Sequence, residues 1–208
     1  METYLKVLDP DDSSAGGGSA SAIAGAMAGA LLALVARLSR PSIRKNGGSA
    51  AGTPPGELDD AAFEGMALRA IALSQRLRTG AREDTDAFQA VRDSYRLPKA
   101  SEAEKAKRQL AVQAAWVRAT GKPLENAEAC LALLELGVEL KDWVNPSVYS
   151  DYSSGLYLAR AGLLGCLDNV SINLPSLKDE GVAASIALRA TVCRSRCEAL
   201  AALPGILA

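Results

Sequence analysis

The chain contains no histidine. That removes the side chain that most often shuttles protons near neutral pH and most often ligates metals. Acid/base chemistry must then fall to carboxylates, lysine, tyrosine, cysteine or bound water. Cysteine is scarce too, at Cys130, Cys166, Cys193 and Cys197, and no two form a C-x-x-C pair. With no basic signal segment ahead of them, these thiols predict a reduced, cytoplasmic protein rather than a disulfide framework. Cys193 and Cys197 stand at i, i+4, but they continue an apolar stripe running from Val182 through Ile186 and Ala190 to Leu200. Buried thiols are expected there, and no metal. The net charge of −1 leaves no general electrostatic grip on nucleic acid. No segment alternates apolar and polar residues with period two, so a sheet is not expected.

Small residues are plentiful. The stretch "SSAGGGSASAIAGAMAGALLALVARL", Ser13 to Leu38, has no charge before Arg37. A membrane span needs about 20 strongly apolar residues, and this stretch has only six large ones up to Ala36: Ile23, Met27, Leu31, Leu32, Leu34 and Val35. No membrane association is expected. The lead-in, "METYLKVLDPDD", is acidic and does not start a secretory signal. Ile23, Met27, Leu31 and Leu34 share one helical face, and Ala22, Ala26, Gly29, Ala33 and Ala36 share a smooth one. Gly25 and Gly29 allow another backbone to come close. The pattern suits the central helix of a tightly packed bundle. Gly16, Gly17, Gly18 and Ser19 lead into it, where a helix presents unpaired amides. They are neither a Walker loop nor a dinucleotide fingerprint. A flexible helix cap and an anion-binding turn both remain open.

The remainder reads as successive helices. Phe63, Met66, Ala70, Leu73 and Leu77 mark one face, and a separate short helix is expected near 84–95, before Leu97-Pro98. Ser101-x-x-Glu104 is a capping box. "TGKP", Thr120 to Pro123, predicts a break before a helix bearing Leu131, Leu134 and Val138. Further helices are expected over about 150–168 and 176–203. Residues 39–57, "SRPSIRKNGGSAAGTPPGE", read as a flexible Gly/Pro-rich loop with a basic patch at Arg40, Arg44 and Lys45. The fold class is therefore all-α, one domain spanning 1–208, a helical bundle around a buried Gly/Ala-rich helix.

Three polar clusters interrupt this pattern. "EDTDAFQAVRDSYRLPK" carries Asp84 and Asp86, then Arg96 and Lys99. Acidic residues in such a place serve equally as caps. "NPSVYSD" ends at Asp151, a natural N-terminal cap. "DNVSIN" carries Asn169 and Asn173, which could close a helix.

In this order, the glycine-led helix, D-x-x-A-F…Y-x-L-P-K, "NPSVYSD" and N-V-x-I-N resemble the formiminotransferase-cyclodeaminase C-terminal family over about residues 4–178. That family includes stand-alone methenyltetrahydrofolate cyclohydrolases. The resemblance implies an all-helical, dimeric enzyme with a reduced folate as substrate and no cofactor. It would hydrolyse 5,10-methenyltetrahydrofolate to 10-formyltetrahydrofolate, or cyclodeaminate 5-formiminotetrahydrofolate. With no formiminotransferase segment attached, the hydrolase is the first expectation. A folate- or anion-binding helical protein without turnover is the alternative. Asp84, with Asp86 as second choice, would move protons and stabilise the amidinium. Asp151, Asn169 and Asn173 would meet the pterin edge. Arg96, Lys99 and the Gly16, Gly17, Gly18 and Ser19 amides would hold the glutamate tail. Ala15 and Ser154-Gly155 depart from the family pattern, as does "RPSIRKNGG" after the first long helix.

Overall fold

The structure is a computed structural model describing residues 2–46 and 58–206. Its helices are α1 (Glu2–Leu8), α2 (Gly17–Leu38), α3 (Pro41–Asn46), α4 (Asp60–Tyr95), α5 (Glu102–Leu140), α6 (Tyr149–Asn173) and α7 (Glu180–Ala201). No strand occurs among the described residues. α2 packs along both α4 and α6, α5 pairs with α4 and α6, and α7 lies outside against α5. Much of the proposed 39–57 loop, residues 47–57, lies outside the described residues, as do the Arg44 and Lys45 side chains. Arg40 is paired with Glu64 at 3.6 Å.

Small residues let α2 sit this deep. A Cβ added at Gly29 would lie 2.9 Å from the Ala70 carbonyl oxygen of α4. One added at Gly162 of α6 would lie 2.7 Å from the Ser21 carbonyl oxygen of α2. The α2 backbone is thus in direct contact with both neighbours, and Ser74 Oγ donates to the Ala26 carbonyl at 2.7 Å. The smooth face, with Ala22, Ala26, Gly29, Ala33 and Ala36, is the buried one. The large-residue face is not enclosed: Met27 and Leu34 are exposed. The central helix is therefore buried on one face only.

Two helices are longer than the sequence signals suggest. The segments marked by Phe63–Leu77 and by 84–95 are one helix, α4. Nothing between them breaks helical geometry, and Gly80 is tolerated because it meets the Asn126 side chain closely. α5 likewise runs straight through "TGKP" with Pro123 inside. Proline removes one N–H, which leaves the carbonyl four residues back without its partner. That carbonyl is Ala119, and Asn173 Nδ2 donates to it at 2.9 Å. A side chain from α6 thus repairs the gap.

The end signals hold in part: Asp151, read as an N-terminal cap, lies inside α6, whose N-cap is Val148 with no side-chain hydrogen bond. Ser101 and Glu104 form the reciprocal capping box of α5. Asn145 caps the far end of α2, its amide groups donating to Ser39 Oγ and the Leu38 carbonyl at 3.0 Å each. α6 continues to Asn173, beyond the expected 168, and α7 starts at Glu180 rather than 176, behind its cap Asp179. All four cysteines are buried and free. Burial pushes the Cys130 thiol up to about 12.

Candidate active site

α2 begins where α4 carries Asp84. Gly16 is the extended N-cap residue, and the first turn after it presents amides with no partner inside the helix. A Cβ on Gly18 would lie 2.6 Å from Asp84 Oδ2 and 2.9 Å from Oδ1. Only glycine lets the carboxylate rest against the helix start. Ser19, fully buried, donates its hydroxyl to Asp84 Oδ2 at 3.0 Å. Its oxygen also lies 2.9 Å from Thr85 Oγ1. From α6, Asn169 Nδ2 approaches Gly17, where a Cβ would stand 3.3 Å away. That amide also donates to the Gly165 carbonyl at 3.0 Å.

Asp84 has no ion-pair partner among the described residues. Burial pushes its carboxyl above the ordinary aspartate range, and the Ser19 hydrogen bond offsets this only in part. The floor below is apolar and soft. Cys166 is buried there, its thiol pushed up by burial and, to smaller degrees, by Cys130 and the Asp84 charge. A half-buried carboxylate without a cation, set against free amides, can both take and return a proton.

The other expected residues divide sharply. Gly17, Gly18, Ser19, Asp84 and Asn169 come together. Asp86 does not join them: two residues along a helix turn it about 200° away from Asp84, and it is exposed. Asn173 is near by, but its amide is committed to Ala119. Arg96 follows α4 and pairs with Asp93 at 2.9 Å. It stands about 18 Å along the helix from Asp84, at 1.5 Å per residue, with exposed Lys99 beyond. Asp151 sits in the first turn of α6. That is eighteen residues before Asn169, or about 27 Å along the same helix. Within one chain it cannot share a ligand's pterin edge with Asn169.

Two neighbours escaped the sequence reading. Thr85 completes the hydroxyl pair with Ser19, and Lys122 pairs with Glu83 at 3.2 Å and Glu125 at 3.0 Å. Thr85 was legible as the residue following Asp84. Lys122 was hidden inside the supposed break at "TGKP". Two open surface grooves of about 500 and 570 Å³ run along α5 and α7. Neither borders Asp84 or the glycine turn. No cluster of three or more His, Cys, Asp or Glu that could hold a metal ion occurs among the described residues.

The fold is similar to that of a formiminotetrahydrofolate cyclodeaminase from Thermotoga maritima, with a TM-score of 0.75 at 23% identity, covering 93% of this chain and 87% of that one. In sequence the chain is 31% identical over 183 residues to a methenyltetrahydrofolate cyclohydrolase from Methylorubrum extorquens, covering 88% of this chain and 83% of the relative. It is also 26% identical over 203 residues to the pig (Sus scrofa) formimidoyltransferase-cyclodeaminase, covering 98% of this chain but 36% of that protein. The family model described as formiminotransferase-cyclodeaminase matches residues 1–191. On this match, which takes in the glycine turn, Asp84 and Asn169 together, the chain belongs to the formiminotransferase-cyclodeaminase family.

Proposed function

We propose that the protein is a tetrahydrofolate one-carbon enzyme and that its first activity is hydrolysis of 5,10-methenyltetrahydrofolate to 10-formyltetrahydrofolate. The observation that carries this reading is Asp84, buried without a cation and seated on Gly18 at the head of α2. The choice of hydrolysis over cyclodeamination is supported by the cyclohydrolase relative, matched at higher identity and over most of its own length.

The methenyl carbon lies between two nitrogens and carries positive charge. The Asp84 carboxylate stabilises that cation and removes a proton from the attacking water. The new C–O bond gives a neutral tetrahedral carbon. Asp84, now protonated, returns its proton to the departing ring nitrogen as that C–N bond breaks. The remaining hydroxyl proton leaves to solvent, and the formyl group stays on the other nitrogen. The raised carboxyl fits both halves, because base and acid forms must each be accessible. Ser19 keeps Oδ2 directed along the helix start. Cyclodeamination of 5-formiminotetrahydrofolate would use the same residue to move a proton towards departing ammonia.

A homodimer completes this reading. α2 offers an uncharged face with Met27 and Leu34 exposed, and neighbouring α6 exposes Tyr157. A twofold pairing on this face with its axis across the helices sets the two α6 helices antiparallel. The partner's Asp151 then approaches the Asn169 end of this chain, which its own Asp151 cannot reach. Met27→Glu is expected to yield monomers by sedimentation and to lose most activity; monomeric wild type with full activity would contradict the pairing. A cytoplasmic setting fits the four free thiols.

Binding is tested separately from turnover. A ligand that prefers the native state raises its stability, by about 2.7 kcal/mol at a hundred times its Kd. A reduced folate such as 5-formyltetrahydrofolate at saturation is expected to raise the melting temperature by several degrees. No shift with any reduced folate would sink the reading, and a shift without turnover would favour a binding protein.

A further inference from the structure

The chain is poor in aromatic residues, nine in all, yet three of them gather beyond Asp84. α4 and α5 continue as a hairpin arm past the start of α2, with their own small core of Ala87, Val91, Ala115 and Ala119. On α4, Asp84, Phe88 and Tyr95 stand at i, i+4 and i+11 and so share a face. The Glu83–Lys122 pair and the Gly80–Asn126 contact set the register between the two helices. That register places Trp116 beside Ala90, about 9 Å past Asp84 at 1.5 Å per residue. Both residues pack on the arm's core.

This face is open yet held in shape. Phe88 is 43% exposed and Tyr95 50% exposed. A half-exposed tyrosine is ordinarily free to change rotamer. Here its hydroxyl accepts from Trp116 Nε1 at 3.2 Å. The Arg108 guanidinium lies 5.4 Å from the ring centroid, and its nitrogens donate to the Tyr95 carbonyl at 3.0 and 3.3 Å. The fold thus fixes an indole and a phenol beside the same helix face that carries the carboxylate. Nothing in the packing of the arm's own core needs the Tyr95 ring.

We propose that Phe88, Trp116 and Tyr95 form an aromatic slot that receives the p-aminobenzoyl ring of the reduced folate. The inference rests on the folate reading above. With the reacting carbon at Asp84, the nitrogen next to it bears the benzoyl ring. Towards the bundle the way is closed by Leu77 and Cys166, both buried. The tail must therefore leave along the arm, over Phe88 and then Trp116, and its glutamate ends towards Arg96 and Lys99. Stacking on an aromatic platform suits a flat ring and asks for no hydrogen bond. These are binding and positioning residues, so their loss acts on KM rather than on kcat.

Trp143, the other tryptophan, packs edge-on against Phe63 away from this face. A Trp143→Phe protein therefore reports on Trp116 alone. 5-Formyltetrahydrofolate is expected to quench its fluorescence, whereas 6-methyltetrahydropterin, which lacks the benzoyl group, leaves it unchanged at saturation. Trp116→Leu and Tyr95→Leu should each raise KM for 5,10-methenyltetrahydrofolate about tenfold, with kcat kept within about twofold; tenfold corresponds to 1.4 kcal/mol of lost stacking. Trp116→Phe should stay within about threefold of wild type. Unchanged KM in both leucine variants of an active protein, or equal quenching by the pterin, overturns the slot and leaves the functional reading standing. A wild-type protein that neither binds nor turns over reduced folates overturns both.

Discussion

Asp84→Asn is expected to lower turnover of 5,10-methenyltetrahydrofolate by about 10²- to 10⁴-fold, the range for losing a positioned general acid/base. Asparagine keeps the shape and can still accept from Ser19, but it can neither take a proton from water nor return one to nitrogen. The same change should not harm the fold. Burial raises the Asp84 carboxyl in the native state, so between its unfolded value near 3.8 and that raised value the native protein binds more protons than the unfolded chain. Stability falls as pH climbs through this window and stays at the lower level above it. At neutral pH the charged, buried Asp84 therefore costs stability, and the amide removes that cost. Calorimetry near pH 7 should give a melting temperature equal to or above wild type, with a smaller loss of stability between acid and neutral pH. A variant that unfolds more readily would mean that Asp84 serves the fold, through its hydrogen bond with Ser19 at the start of α2, rather than the chemistry.

Gly18→Ala should be the second most damaging small change. The added methyl would stand 2.6 Å from Asp84 Oδ2 and 3.0 Å from its Cγ, distances that force the carboxylate aside. The Ser19 hydrogen bond would then lengthen or break. Misplacing a catalytic group by about 1 Å costs on the order of 10²-fold in rate. Gly16→Ala is the matched control, because no heavy atom lies within 4 Å of a Cβ there. Steady-state kinetics should show kcat falling by about 10²-fold for Gly18→Ala and staying near wild type for Gly16→Ala. Equal losses would show that the whole turn, not the close approach to Asp84, matters.

Periodicity in the sequence located every long helix, and the small residues of α2 marked it as the helix of the bundle that others pack against. Helix continuity was less legible. Pro123 read as a break because its rescue depends on Asn173, fifty residues away, donating to the orphaned Ala119 carbonyl. At the site, the glycine turn and Asp84 were legible because a rare chain of small residues and a carboxylate stand in the family's order. Their mutual contact was not, since it spans 65 residues. Asp86 was proposed on adjacency, which a helix turns into opposition. Asp151 and Asn169 were grouped by chemistry alone, and helix length separates them within one chain. Tyr95 stood in Y-x-L-P-K without a role and Trp116 in no motif, because the arm's register, not local spacing, brings them together.

The central claim, that Asp84 is a carboxylate with raised proton affinity acting as the acid/base centre, is tested most directly by one pH profile. It is kcat/KM for 5,10-methenyltetrahydrofolate, followed by loss of its absorbance, with the uncatalysed rate subtracted at each pH. The account predicts a catalysed rate that rises with pH to a plateau, with a midpoint above the ordinary aspartate range, and a rise that is missing in Asp84→Asn. A profile flat across the carboxylate range, or the same rise in both proteins, would contradict it.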